Sequence, residues 1–134
     1  MKIELGSVSP PFDLDPLSSA PPAIPADEYE QRVQALYERS RMDWVVVYGD
    51  REHCANLLYL TGYDPRFEEA LFVIGPRQRY LLVGNEGVAY AAARSPHVQA
   101  VLCQSMSLMG QPRDAAPRLA DVLRDLGIRS GQSI

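Results

Sequence analysis

Few residues in this 134-residue chain are of types and spacings that could do chemistry. His53 stands beside Cys54, which invites a thiol-and-base reading. Neighbours in sequence leave a helix on different faces, however, and a working Cys–His pair is assembled from distant segments. His97 follows Pro96 in a loop-like context, and no His-Glu-x-x-His arrangement occurs. Asp64, Glu68 and Glu69 cluster around Phe67 and could offer oxygens to a cation, but Arg66 sits in their midst. Hard cations want several convergent oxygens, so a salt-bridged or contact-making loop is the expectation. Gly84-Asn85-Glu86-Gly87 follows an apolar run and opens a helical pattern, where free amides could hold an anion. Glu86 places a like charge there, so a turn and cap is the simpler reading. The sequence therefore offers no catalytic constellation and no metal-ligand set of its own.

The bulk composition narrows the partners. A formal net charge of −4 and a pI near 5.1 lack the basic footprint of a nucleic-acid-binding domain. Apolar residues make up 46% and charged residues 22%, as in ordinary globular domains. The longest apolar runs, Trp44 to Tyr48 and Ala70 to Ile74, are far too short for a bilayer. Cys54 and Cys103 match no redox or metal spacing and read as buried thiols. With no hydrophobic leader after Met1, these features predict a cytoplasmic protein.

The elements that must position such residues begin after a proline-rich stretch. Six of the eleven prolines fall within 1–26, which reads as an extended arm. Asp27 and Glu30 have capping-box spacing, and Tyr29, Val33, Leu36 and Tyr37 recur at helical intervals over 27–41. Trp44 to Tyr48 reads as a strand covered on both faces. A short helix over 51–57, capped by Asp50, leads into a second strand over 59–62. Leu71–Ile74 and Tyr80–Val83 flank a turn-forming Gly75-Pro76 and predict a hairpin. Asn85 can cap a helix over 86–94, a strand follows over 98–103, and Asp114 can cap a helix with Pro117 in its first turn, ended by Gly127. A sixth strand starts near Ile128, so the chain reads as the first part of a longer protein. Alternating helix and strand predicts α/β architecture with a mixed sheet.

The stretch Asn56-Leu57-Leu58-Tyr59-Leu60-Thr61-Gly62-Tyr63 resembles the Asn-x-x-Tyr-Leu-Thr-Gly-aromatic signature of creatinase/prolidase/aminopeptidase P N-terminal domains. The surrounding order is similar too, with Glu69-Ala70 just before the Leu71-Phe72-Val73-Ile74 run. The resemblance covers 27–134. It implies a mixed, roughly six-stranded sheet flanked by helices, with a ribonuclease H-like motif. It also implies that hydrolysis belongs to a following catalytic domain holding two divalent metal ions, whose ligands have no counterpart here. In that family the N-terminal domain dimerises and its loop near the Thr-Gly turn helps wall the partner's active site. By position, Tyr63, Arg66, Phe67 and Glu69 are the substrate or interface residues implied, with Asn56, Tyr59, Thr61 and Gly62 as the structural motif. The expected function is thus the non-catalytic N-terminal domain of an Xaa-Pro aminopeptidase or dipeptidase. The alternatives are a stand-alone α/β binding module, a creatinase-like C–N hydrolase, or a parent that has lost its metal ligands.

Overall fold

The computed structural model describes residues 23–113 and 115–134. The arm therefore lies outside the described residues up to position 22, as does the Asp114 cap. In chain order come α1 (Ala26–Ser40), β1 (Val45–Gly49), α2 (Ala55–Thr61), β2 (Ala70–Ile74) and β3 (Arg79–Val83). Then follow α3 (Gly87–Arg94), β4 (Gln99–Leu102), a 3-10 turn at Gln104–Met106 and α4 (Leu119–Asp125).

The strands form one mixed sheet in the order β1-β2-β3-β4. β1 and β2 run antiparallel with Val45 opposite Ile74, and β2 and β3 form the hairpin with Phe72 opposite Leu81. β3 and β4 run parallel, Leu82 facing Val101, because α3 crosses over between them. Among the described residues the sheet thus has four strands, not the six expected. The two that fail do so for separate reasons. Residues 59–61 are the last turn of α2, whose Leu57, Leu60 and Thr61 recur at helical spacing and are buried. From Ile128 onward the chain is irregular apart from a turn at 130–131, and no strand forms there.

Side chains alternate along β2 and so build two cores. Phe72 and Ile74 pack with Val33, Leu57, Leu60, Leu81 and Ala91 beneath α1, α2 and α3. Leu71 and Val73 face the opposite way, toward Trp44, Leu82, Met106 and Val122 of α4. Every β2 residue is buried, so the strand covered on both faces is β2. β1 is an edge strand with a half-buried surface and an exposed Tyr48. Each fully buried Phe, Leu or Ile contributes about 1.5–3 kcal/mol relative to exposure, and the helices rest on that burial. Helix starts need correcting too. α1 begins at Ala26 with Pro25 at its cap and no side-chain bond, so Asp27 and Glu28 act on the helix dipole instead of closing a capping box. α4 begins at Leu119, two residues beyond Pro117. Among the described residues, no helix is long and apolar enough to cross a membrane.

Candidate functional site

The loop from Gly62 to Glu69 joins α2 to β2, and the residues at its start fix its direction. The Thr61 hydroxyl donates to the Leu57 carbonyl at 2.7 Å and accepts the Tyr63 N–H at 3.1 Å. The Thr61 carbonyl accepts the Ser95 hydroxyl at 2.7 Å, tying α2 to the end of α3. Gly62 closes the helix with φ +74°, its N–H on the Leu58 carbonyl. A Cβ there would lie 2.9 Å from the Tyr29 hydroxyl oxygen. A left-handed cap pressed against a neighbour is a position for glycine.

Tyr63 then turns inward and is only 2% exposed. Its ring lies 5.4 Å from Tyr90, tilted by 56°, and over Gly87, where a Cβ would come within 2.7 Å of its hydroxyl. Burial first, and then the charge of Glu68, push the Tyr63 hydroxyl up to about 12. Tyr63 supports the loop from beneath and stays a neutral phenol. Glu68 is the second anchor. Its two carboxylate oxygens accept the amides of Glu86 at 3.1 Å and Gly87 at 2.9 Å, at the start of α3. The amides that could have held an external anion are therefore occupied by the chain's own carboxylate. Asn85 turns its side chain to Gln104 and Gln111 instead of capping α3.

Between these anchors the loop is pushed outward. Phe67 is 75% exposed. The Arg66 Nε donates to Asp64 Oδ2 at 2.6 Å, and the carboxylate of Asp64 raises the guanidinium above its ordinary range. Glu69 is exposed and interacts with the Tyr48 hydroxyl. A cleft of about 170 Å³ lies between Tyr63, Phe67, Glu86 and Tyr90 on the α3 side. The loop thus presents an exposed aromatic ring and a guanidinium held by Asp64, on a base anchored by Tyr63 and Glu68.

The remaining candidates are dispersed. Asn56 is exposed on α2, while Tyr59 carries the Arg32 guanidinium 4.3 Å above its ring and accepts an Arg32 N–H at its carbonyl. His53 holds Asp50, not Cys54: its Nδ1 lies 3.0 Å from Asp50 Oδ1. The backbone N–H of His53, with the Tyr48 hydroxyl and the Glu52 N–H, lowers the Asp50 carboxyl to about 2. His97 stacks on Tyr29 at 4.7 Å, and its Nε2 is buried without a partner. Among the described residues, no group of three His, Cys, Asp or Glu could hold a metal ion. Sequence reasoning missed Glu68 as the anchor of α3 and Arg32 as the partner of Tyr59, because both contacts join segments far apart in the chain.

No family model matches the sequence, and no curated protein matches it. Solved structures do. An aminopeptidase P (Xaa-Pro aminopeptidase) from Streptococcus thermophilus superposes with a TM-score of 0.52 at 18% identity, covering 75% of this chain and 65% of that one. The N-terminal creatinase/prolidase-like domain of a metallopeptidase-type protein from Corynebacterium diphtheriae also gives 0.52 at 18% identity, covering 78% and 71%. An Xaa-Pro dipeptidase from Bacillus anthracis gives 0.50 at 15% identity, and there this chain spans 26% of the larger protein. The chain has the fold of the creatinase/prolidase-type N-terminal domain.

Proposed function

We propose that the chain is the non-catalytic N-terminal domain of a metal-dependent hydrolase acting on Xaa-Pro peptides. In this reading it forms a homodimer, and the Gly62–Glu69 loop shapes the partner subunit's substrate pocket. The fold likeness supports the class. The observation that carries the role of the loop is the outward placement of Phe67 and Arg66 on anchors made by Tyr63 and Glu68. Exposed aromatic and arginine side chains on a rigid base are the composition of an interface anchor. Cleavage belongs to a following domain with two divalent metal ions, and this chain's contribution is to orient substrate through the Arg66 guanidinium.

The test has two arms. In the protein extended through the catalytic domain, Arg66→Ala lowers kcat/KM by about tenfold or more, the loss of one charged hydrogen bond worth roughly 1.5–3 kcal/mol. Melting temperature barely moves, since an exposed ion pair such as Asp64–Arg66 adds little to stability in water. Unchanged kinetics in a variant that still dimerises would remove Arg66 from the site. A coding sequence beyond Ile134 without Asp, His and Glu ligands would overturn the class.

A further inference from the structure

The two most exposed large apolar side chains of the described residues line the same groove. Met109 is 92% exposed and Phe67 is 75% exposed, on loops some forty positions apart, and Leu108 stands beside them at 42%. Together they flank a groove of about 420 Å³ on the side of the 62–69 loop away from Tyr90. Its walls do not depend on an occupant for their shape. One wall is hung from the first turn of α3 by Glu68. The other hangs from the same turn: the Ser107 hydroxyl accepts the Asn85 N–H at 2.9 Å, and Gln111 donates to Glu86 at 2.9 Å.

The charges in the groove are unequally satisfied. Two of its three carboxylates have donors from the chain at hydrogen-bond distance. Asp50 takes the Tyr48 hydroxyl and the amides of Glu52 and His53, and Glu68 takes two amides, while Glu69 is exposed. Of its three guanidiniums, Arg113 donates to the Ser107 carbonyl, and the other two keep open donors. Arg66 is engaged through its Nε and the rest of its fork is open, and Arg51 has no hydrogen bond or ion pair among the described residues. A guanidinium has five N–H donors and matches a carboxylate at two points. The groove therefore offers apolar contact beside the open donors of Arg51 and Arg66.

We propose that this groove docks a polypeptide segment in which an apolar side chain is followed by a carboxylate. The apolar side chain sits between Phe67 and Met109, and the carboxylate meets Arg51 and Arg66. The flexible thioether of Met109 suits it to side chains of more than one shape. The inference rests on reading the 62–69 loop as a contact surface, and it adds a second wall and a ligand chemistry to it.

The experiment uses the whole chain, isotope-labelled at its amides, arginine Nε and methionine methyls, titrated with a heptapeptide carrying a central Leu-Asp pair. The expected result is saturable shifts of the Met109 methyl and the Arg51 and Arg66 Nε–H. The Leu-Asn peptide should bind about tenfold or more weaker, as expected for losing one charge-assisted bond. Phe67→Ala combined with Met109→Ala should abolish the shifts while leaving the melting curve in place, since both side chains are exposed. Equal binding of the two peptides, shifts confined to other surfaces, or no shift at millimolar peptide overturns the proposal. Sedimentation of the same samples separates the two readings. A chain that dimerises but ignores the peptide defeats only this inference, and one that binds the peptide as a monomer defeats the dimer.

Discussion

The carboxylate of Glu68 accepts the N–H of Gly87 at 2.9 Å, so the first turn of α3 is closed by a residue nineteen positions upstream. Glu68 is buried, and a Cβ on Gly84 would fall 2.5 Å from its Oε2. The loop and the helix therefore hold each other in place. Glu68→Gln keeps one acceptor but turns an amide donor toward a backbone donor. The expected loss is about 1–3 kcal/mol, the cost of leaving a buried polar group unsatisfied. At roughly 4 °C per kcal/mol for a chain of this size, a thermal melt resolves it. A variant that melts with the parent would show that the carboxylate is dispensable to α3.

Gly62→Ala should cost on the order of 1 kcal/mol from the left-handed backbone alone. The contact with Tyr29 adds to it, because the new Cβ would lie 2.9 Å from the hydroxyl oxygen and 3.1 Å from the ring carbon bearing it. Adding Tyr29→Phe should recover part of the loss and leave the backbone share. Urea titration of the two single variants and the double variant measures the coupling; strict additivity would mean that Tyr29 does not press on Gly62.

Stability should fall in mild acid through His97. Burial lowers its imidazole below the ordinary value of 6.5, with the nearby Glu30 opposing. The unfolded chain therefore takes up the proton first. The native state loses stability as pH drops below about 6.5, until the folded imidazole also protonates. Above that range the contribution is fully present. His97→Phe keeps a ring against Tyr29 and should flatten this segment of the profile, read as urea midpoints from pH 5 to 8. A profile identical to that of the parent would assign the slope to other groups.

Incubated with excess manganese or zinc and then dialysed, the chain should retain well under one equivalent, and it should not cleave Xaa-Pro peptides. His53 is committed to Asp50, His97 lies flat on Tyr29, and in the 62–69 loop Asp64 is bound to Arg66 and Glu68 to two amides. One tightly held metal per chain, or turnover above blank, overturns this.

The hairpin and the alternation of helix and strand were legible because Gly75-Pro76 separates two apolar runs, β2 throughout and β3 from Tyr80 onward. The helical state of Tyr59-Leu60-Thr61 was not. Aromatic and β-branched types favour strands when read locally, and α2 is a seven-residue helix held by burying Leu57 and Leu60 against the sheet. The Tyr63–Glu69 segment stood out by composition, but its division into inward Tyr63 and outward Phe67 was not readable. That division depends on Glu68 finding two amides on α3, a contact with no local sequence signal. Met109 gave no signal either, since a lone methionine in a loop is ordinary until the groove beside Phe67 is seen.

Trp44 donates its backbone N–H to the Ser133 carbonyl and its indole N–H to Gln132, and the Ser133 N–H returns to the Asp43 carboxylate. These bonds span about ninety residues and fasten the segment at 132–133 to the start of an edge strand. Closing so long a loop is entropically costly, and its bonds lie near the surface, so this fastening should open before the sheet does. Trp44 is the single tryptophan of the chain. Its fluorescence therefore reports first on a small local opening and only afterwards on global unfolding, and a melt followed at this one ring will run ahead of one followed by backbone dichroism.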